Sequence, residues 1–416
     1  MHRASYDVLI VLLNVHGGSY HCAFRLLERL GQAGLSCAAL LATDPTRGLQ
    51  VGLDVQEEDV RRLAGLDIHV LPRAKIRAVL ADVPGRLVLF DSFRDEETPQ
   101  LAARVRERHT ARTGQLAALL ADFSYAGVDH AFVQHPLTLW FELEYARTSG
   151  ARNLVRARGI HFCGNIFHEP VCNTWTSTIR TREDFCAKYG LDPQKPIGLW
   201  LPDREDGQSP AYGQVLEAVR AAGLNVAVKM HPWEYKMLGH GFDHYGTGRT
   251  SAQIWGVPAV EERDRSWAFF FCDVAVTRGS TVSLELPFWG KPGIHIPPEG
   301  KYRRVVRGLI RLVGTCSLRR NSTAGLAEVL ARHREFGFGA AEYRAARANV
   351  VTDPDRDAFE QHLERILEIL ERPTDPPAVG SLAPVRRLYR GTVPLGMLKP
   401  RHFPAEIAAR LARLFT

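Results

Sequence analysis

The sequence predicts an α/β fold made of two doubly wound domains, in which helices cover both faces of mostly parallel sheets. Its 416 residues exceed what one hydrophobic core usually holds, so two domains are expected. Apolar runs of strand length alternate with helical patterns through both halves of the chain, and this alternation is typical of parallel sheets. A hydrophobic content of 45% and a charged content of 24% are those of a soluble globular protein.

The first half begins with a strand at 6–14, a glycine-containing turn at 16–19 and a helix over 20–33. The patterns further along predict strands at 35–42, 69–71, 86–90, 129–134 and 160–163, and helices at 96–122 and 137–150. Ligands of such folds bind beyond the carboxyl ends of the strands. The polar residues at those ends are therefore functional candidates: His16, Asp91, His135 and Asn165.

The second half repeats this alternation after a helix at 182–189 and a loop at 190–196. The patterns predict strands at 197–201, 225–230, 273–277 and 293–296, and helices at 212–222, 266–271, 283–289, 323–336 and 359–371. We place the first domain at 1–175 and the second at 176–372, with a cleft between them. A Pro-rich segment and a short basic helix fill 373–416.

Charge and cysteine usage narrow the class of protein. The seven cysteines are scattered without a CxxC pair, which argues for a reducing compartment and against a structural zinc site. The net charge of +7 allows anionic partners, but no zinc-finger, helix-turn-helix or aromatic RNA-binding pattern is present, so nucleic acid is not expected. We find no signal peptide and no apolar run of the ~18 residues that a membrane span needs. The prediction is a cytoplasmic protein whose basic C-terminal helix rests on an anionic inner membrane face.

The segment 272–292 carries the clearest functional signal. It reads as a buried strand at 274–277, a tight turn, and then a helix. Such a turn aims backbone N–H groups and hydroxyls at one point, and a helix N-terminus binds anions. The residues placed there are Arg278, Gly279, Ser280 and Thr281. An ordinary strand–helix corner, capped by the serine and the threonine, is the alternative at this point.

Two charged residues of this segment suit a nucleotide-activated sugar or polyol. Arg278 can neutralise a diphosphate through two parallel hydrogen bonds, which would replace a metal ion, so neither a metal nor a cofactor is expected. Glu285, one helical turn beyond Thr281, can accept hydrogen bonds from a sugar diol. A surface salt bridge for Arg278 and an exposed helix position for Glu285 are the alternatives.

An ordered set of motifs between about 160 and 300 resembles a known enzyme family. The set comprises Cys163-Gly164-Asn165, the segments 182–191 and 196–204, Val228-Lys229-Met230-His231-Pro232, and the segment 273–281. In this order the motifs resemble those of the CDP-glycerol glycerophosphotransferase (teichoic acid polymerase) family and related capsule polysaccharide transferases. The resemblance implies a GT-B fold of two Rossmann-type domains, with His231 donating a hydrogen bond to a donor phosphate.

The chain also departs from that family. Arg278 stands where the family usually has an aspartate, and His135-Pro136-Leu137-Thr138 matches the family's His-Gly-Thr-Pro motif only loosely. The Thr-Arg-Gly-Ser-Thr and Ser-Leu-Glu elements at 277–285 are closer to the donor loop of the lipid II-forming N-acetylglucosaminyltransferase. That similarity implies that Glu285 binds the ribose. A nucleotide-linked donor is still expected, but the resemblance no longer implies that glycerol phosphate is the transferred group.

Three residues of the first half are candidates for the general base that deprotonates an acceptor hydroxyl. His135 has the loose family match, and His16 lies in the first glycine turn. An unperturbed histidine pKa near 6.5 suits that task. Asp91 can orient one of the histidines or act as the base itself. For each residue a structural role, as a hydrogen-bonded histidine or a helix cap, is the alternative.

The sequence thus predicts a metal-independent GT-B transferase that moves a sugar or polyol phosphate from a nucleotide donor to a cell-envelope or capsular polysaccharide. The donor would lie on the second domain, and a polysaccharide or lipid-linked acceptor on the first. Two other functions fit the same layout: a non-hydrolysing UDP-sugar 2-epimerase, which needs no acceptor, and a non-catalytic binding protein.

Overall fold

A computed structural model describes residues 5–13, 19–42, 65–82, 85–91, 97–109, 111–116, 128–135, 159–164, 166, 169, 177–202, 210–231, 249–261, 264–296, 313–351 and 353–372. Several predictions fall outside these residues. They concern His16, Asn165, the helix at 137–150, the Pro-rich segment and the basic C-terminal helix. The division into domains at 175 and 372 stays a prediction.

The first half forms a seven-stranded parallel sheet. Its strands are β1 (Tyr6–Leu12), β2 (Cys37–Ala42), β3 (Ile68–Leu71), β4 (Gly85–Phe90), β5 (Arg112–Leu116), β6 (His130–Val133) and β7 (Gly159–Phe162). They lie in the order β3-β2-β1-β4-β5-β6-β7. The side chains of β1 are almost all buried on both faces, as a central parallel strand requires. This order reverses direction between β1 and β4, so the fold predicts a ligand crevice there.

Helices cover both faces of this sheet. In the first half they are α1 (Ser19–Gln32), α2 (Arg73–Asp82) and α3 (Glu97–His109). Leu26, Leu27 and Leu30 of α1 pack into the core on one face. Ile76 and Leu80 of α2 and Leu101 of α3 belong to the core on the other face.

The second half forms a five-stranded parallel sheet. Its strands are β8 (Ile197–Leu201), β9 (Asn225–Val228), β10 (Val274–Thr277), β11 (Gly293–His295) and β12 (Ser317–Arg319), in the order β12-β11-β10-β8-β9. The helices that follow the first half are α4 (Arg182–Tyr189), α5 (Pro210–Ala221), α6 (Ser251–Ile254), α7 (Arg265–Phe271), α8 (Leu326–Ala331), α9 (Ala340–Ala348) and α10 (Ala358–Glu371), with 3-10 turns at Thr281–Trp289, Gly314–Cys316 and His333–Glu335. The cores on the two faces hold Val215 of α5 and Phe269 of α7, respectively.

The helix α10 returns to the first sheet. Its residues Phe359, Ile366 and Ile369 belong to the same core as α1, although the sequence assigns them to the second domain. Where the chain returns, Gly164 (φ +74°) lies so close that an added Cβ would sit 3.1 Å from the Cβ of Ala358. The carboxyl end of β7 is therefore covered by the returning chain.

Three predicted elements differ from the structure. The predicted helix at 96–122 ends at His109, and the strand β5 follows within the same stretch. Gly114 explains the strand, because it lies between β4 and β6 where a Cβ would come 2.6 Å from Leu89 Cδ2. The predicted helix at 283–289 is a 3-10 helix that contains Pro287, and the one at 323–336 divides into α8 and a 3-10 turn. Among the described helices none is both long and apolar enough to cross a membrane.

Candidate functional site

The second sheet has its own reversal point, and the predicted donor loop lies at it. The chain runs from β8 to β9 on one side and then crosses to β10 on the other side of β8. Ligands of doubly wound folds bind beyond the carboxyl ends of the two strands that flank such a reversal. Thr277 ends β10, and Arg278, Gly279 and Ser280 follow it directly. The topology thus supports a binding site at the segment chosen from the sequence.

The backbone N–H groups of this loop are not aimed outward as the sequence suggested. The N–H groups of Gly279 and Ser280 both donate to Thr277 Oγ1, at 3.3 and 3.2 Å. Gly279 adopts a φ of +118°, which side chains other than glycine's rarely allow. Ser280 is the N-cap of the 3-10 helix, but its hydroxyl makes no capping hydrogen bond. By accepting both hydrogen bonds, the buried Thr277 holds the loop against the end of β10.

The side chains of Arg278 and Ser280 in the loop are buried. Arg278 has 8% of its surface exposed and Ser280 has 6%, so Arg278 is not the solvent-exposed salt bridge that was its alternative. A guanidinium that is shielded from water interacts more strongly with an anion than an exposed one does. Thr281 begins the 3-10 helix.

Glu285 is buried as well, with 4% of its surface exposed, and not on an exposed helix face. Its Oε2 lies 3.5 Å from Nε of Arg265, the first residue of α7, which is 9% exposed. A buried carboxylate needs such a partner, because the charge is costly to remove from water.

His231 lies at the same edge of the sheet. It follows β9 by three residues and is half-buried, next to the buried Met230. Lys229 between them is 4% exposed, and its ammonium donates to the Met230 carbonyl at 3.3 Å. Neighbouring strands lie ~4.8 Å apart, so the ends of β9 and β10, with β8 between them, are about 10 Å apart. His231 and Arg278 therefore lie beyond the ends of two strands on either side of β8, at the same edge of the sheet.

In the first sheet, Asp91 lies at the reversal point. It directly follows β4, is 3% exposed, and donates its backbone N–H to the Val11 carbonyl of β1 at 3.1 Å. The strand β5 separates it from β6, which leads to His135. At ~4.8 Å per strand, Asp91 lies about 10 Å from β6. Asp91 and His135 therefore follow strands of the same sheet that have β5 between them.

The environment of His135 differs from that of the sequence-based prediction. The residue is 2% exposed, and burial lowers its pKa to about 4. Desolvation disfavours the charged imidazolium, so the ring is neutral at pH 7. It is a weaker base than a solvent-exposed histidine, and an approaching anionic substrate would raise its pKa.

Several buried polar residues near the two sites were missed by the sequence reasoning. Arg73 begins α2, is 5% exposed, and donates to the Leu13 carbonyl just beyond β1 at 2.6 Å. His295 of β11 is 1% exposed, and the structure gives neither ring nitrogen a hydrogen-bond partner among the residues it describes. Burial lowers the pKa of His295 to about 4. His295 is the last residue of β11, and that position was the signal available in the sequence, whereas Arg73 begins a helix.

No protein-family model matches the sequence, and no curated protein matches it. Solved structures do match. The wall teichoic acid polymerase TagF superposes with a TM-score of 0.53 at 11% identity, over 88% of this chain and 89% of that one. A variant of that polymerase gives a TM-score of 0.54 at 10% identity over the same shares. The UDP-GlcNAc 2-epimerase of Neisseria meningitidis, solved with UDP-GlcNAc bound, gives 0.50 at 11% identity, over 87% of this chain and all of that one.

Because the sequence identities are low, the similarity to these solved structures supports a shared fold and nothing more. Proteins of this group have the GT-B architecture, and the match extends over most of the described chain. The expectation of two Rossmann-type doubly wound sheets is confirmed by the strand orders. The chain therefore has a GT-B-type α/β fold, with its candidate donor loop at the reversal point of the second sheet.

Proposed function

We propose that this protein is a GT-B transferase that moves a sugar or polyol phosphate from a nucleotide donor to a cell-envelope or capsular polysaccharide. The observation that carries the proposal is the burial of two residues of opposite charge, Arg278 in the loop at the reversal point of the second sheet and Glu285 in the 3-10 helix that follows. Arg278 suits the diphosphate and Glu285 suits the ribose diol. His231 follows β9 at the same edge of the sheet.

In this proposal Arg278 takes the place of a metal ion. As the bond to the transferred group breaks, negative charge grows on the leaving nucleotide phosphate, and the guanidinium stabilises it. Ser280 and Thr281 supply further donors at the start of the 3-10 helix. The acceptor would bind at the edge of the first sheet, where His135, His16 or Asp91 removes the proton of its hydroxyl. A peripheral position on the cytoplasmic face of the membrane suits such an acceptor.

A panel of nucleotide-linked donors tests the proposal. CDP-, CMP-, UDP- and GDP-linked compounds are added at a large excess, and the thermal midpoint is recorded. A ligand at a hundred times its Kd stabilises the folded state by about 2.7 kcal/mol. We expect one nucleotide class to raise the midpoint, and a panel without any shift would refute nucleotide binding.

Substitution of Arg278 by Ala locates the binding site. Losing a charge-assisted hydrogen bond costs about 1.5–3 kcal/mol, so the Kd for the nucleotide should rise roughly 10- to 100-fold. Arg220 near the end of α5 provides the matched control, because helices that follow a strand return to the opposite edge of the sheet. Arg220→Ala should bind as the unchanged protein does. Equal binding by both variants would place the donor elsewhere.

A UDP-sugar 2-epimerase is the second candidate, and the similarity to epimerase structures favours it. An epimerase converts its UDP-sugar without an acceptor, whereas a transferase releases the nucleotide only when an acceptor is present. Incubation with UDP-GlcNAc alone, followed by separation of the sugar isomers, distinguishes the two. Tight nucleotide binding without either conversion would indicate a binding protein.

A further inference from the structure

We propose that Asp264 is a positioning residue for the nucleotide site, acting through its neighbour Arg265 on Glu285. This inference rests on the proposed function, since it assigns a role in holding the ribose-binding carboxylate. Asp264 does not itself face the candidate site, and nothing in the sequence pattern singled it out. Its importance follows from three side-chain contacts that only the folded chain creates.

Asp264 is fully buried and accepts three hydrogen bonds from three side chains. Its Oδ1 accepts from the Ser177 hydroxyl at 2.5 Å. Its Oδ2 accepts from the Lys188 ammonium at 2.6 Å and from the Tyr189 hydroxyl at 2.7 Å. A buried carboxylate with this many donors is held in one position, because any rotation would leave a charge without partners.

The two donors from α4 are themselves tied to the same segment. Lys188 also lies 3.0 Å from Glu261, and the Tyr189 hydroxyl accepts the Glu261 backbone N–H at 3.1 Å. The end of α4 therefore contacts both Glu261 and Asp264, which precede α7 in the chain. This gives a physical reason for the block at 182–191, whose resemblance to the transferase family had no structural explanation in the sequence.

The segment that α4 holds makes contacts at two places in the candidate site, the end of β9 near His231 and the side chain of Glu285. At one end, Val260 donates to the Val228 carbonyl at 2.8 Å, and Val228 donates to Pro258 at 3.0 Å. Val228 ends β9, three residues before His231. At the other end, Arg265 reaches Glu285 in the 3-10 helix. Asp264 thus lies in the sequence between Val260, which pairs with β9, and Arg265, which reaches Glu285.

The position of Arg265 decides what Glu285 can do. Arg265 and Glu285 are held at 3.5 Å, a distance at which the pair attracts without a short hydrogen bond. If Asp264 loses these hydrogen bonds, Arg265 can shift so that it pairs with both carboxylate oxygens of Glu285, or it can move away from Glu285. Either movement removes the orientation in which Glu285 accepts from a diol. The loss should weaken nucleotide binding without any change in the residues that touch the nucleotide.

A double-mutant cycle tests this role. Asp264→Asn, Arg265→Met and the double variant are titrated with UDP and with CDP by calorimetry. Contacting residues that act together show coupling, and about 1.4 kcal/mol corresponds to tenfold in affinity. We expect Asp264→Asn to raise the Kd about tenfold when Arg265 is present. In the Arg265→Met background the same change should alter the Kd less than about twofold.

A matched control separates positioning from general support. Asp273 is another carboxylate held by α4, since Arg182 lies 3.2 Å from it. It also accepts the Ile197 N–H at 2.7 Å, at the amino ends of β8 and β10 and so away from the candidate site. Asp273→Asn should lower the thermal midpoint and leave the Kd unchanged. If Asp273→Asn weakens binding as much as Asp264→Asn does, the positioning role is wrong.

Tyr189→Phe provides a milder variant in case Asp264→Asn does not fold. It removes one of the three hydrogen bonds to Asp264 and keeps the Lys188 pair. A rise in the Kd of about threefold, present with Arg265 and absent in Arg265→Met, would support the proposal. Equal effects in both backgrounds would overturn it while leaving the proposed function intact. If the unchanged protein binds none of the nucleotides of the donor panel, UDP and CDP included, the proposed function fails first, and the positioning role fails with it.

Discussion

Thr277 holds the candidate donor loop, and its hydroxyl can be removed with little change in shape. Replacement of Thr277 by Val keeps the branched side chain at the end of β10 and deletes Oγ1. That oxygen accepts the N–H groups of Gly279 and Ser280 at 3.3 and 3.2 Å, and Thr277 is fully buried. The change therefore leaves two N–H groups without their acceptor, and the one of Ser280 belongs to a buried residue.

The expected loss follows from these two contacts. A hydrogen bond between uncharged groups contributes about 0.5–1.5 kcal/mol net. Both bonds are long, so about 1 kcal/mol each, or about 2 kcal/mol together, is expected. Thr277→Ser keeps the acceptor and loses one methyl group, which costs roughly 0.8 kcal/mol in burial. The valine variant should therefore be less stable than the serine variant, although it is the more hydrophobic of the two.

Urea unfolding followed by tryptophan fluorescence measures this difference, since Trp200 is fully buried in the core of the second sheet. With a slope of about 3 kcal/mol per M, a loss of 2 kcal/mol lowers the midpoint by roughly 0.7 M. The Kd for the nucleotide should rise in the valine variant and stay near its original value in the serine variant. A valine variant as stable as the serine variant, with unchanged binding, would refute the role of this hydroxyl.

Two further predictions concern the stability of the fold. Gly114→Ala places a Cβ 2.6 Å from Leu89 Cδ2 and should cost about 1–3 kcal/mol in urea unfolding, whereas Gly314→Ala, with no atom within 4 Å, should cost little. Equal midpoints for these two variants would contradict the packing argument. The second prediction is acid sensitivity: burial lowers the pKa of His362 to about 4, so the unfolded chain binds a proton between pH 6.5 and 4 that the folded chain does not. Stability should therefore fall as the pH falls through this range, and His362→Gln should make the decline shallower; an unchanged pH profile in that variant would contradict it.

Most of the fold could be predicted because its signals are local. The strand at 197–201 and the helix at 182–189 have the bounds that the sequence predicted. Thr181 and Asp184 explain the helix, since they form a complete capping box at its start, and Gly190 ends it in the left-handed conformation. Short apolar runs between such signals favour strands. The alternation of these elements then favours parallel sheets.

The candidate site was predicted in part. The loop at Arg278 was found because a strand followed by glycine and hydroxyl residues is a local pattern. The direction of the loop's N–H groups was not predicted, because Thr277 accepts hydrogen bonds from them only once the turn has formed. The lowered pKa of His135 was not predicted either, since it results from burial of the side chain in the folded protein. Asp264 had no signal in the sequence, because its partners lie 75–87 residues away.

The sequence by itself determined most of the secondary elements, the alternation that makes parallel sheets, and the loop after β10 that suits a nucleotide phosphate. Only the tertiary structure decided the order of the strands, the return of α10 to the first sheet and the pairing of Arg265 with Glu285. The physical reason is the range of the interactions. Backbone preferences and capping act over a few residues, whereas desolvation and ion pairing depend on which distant side chains fold against one another.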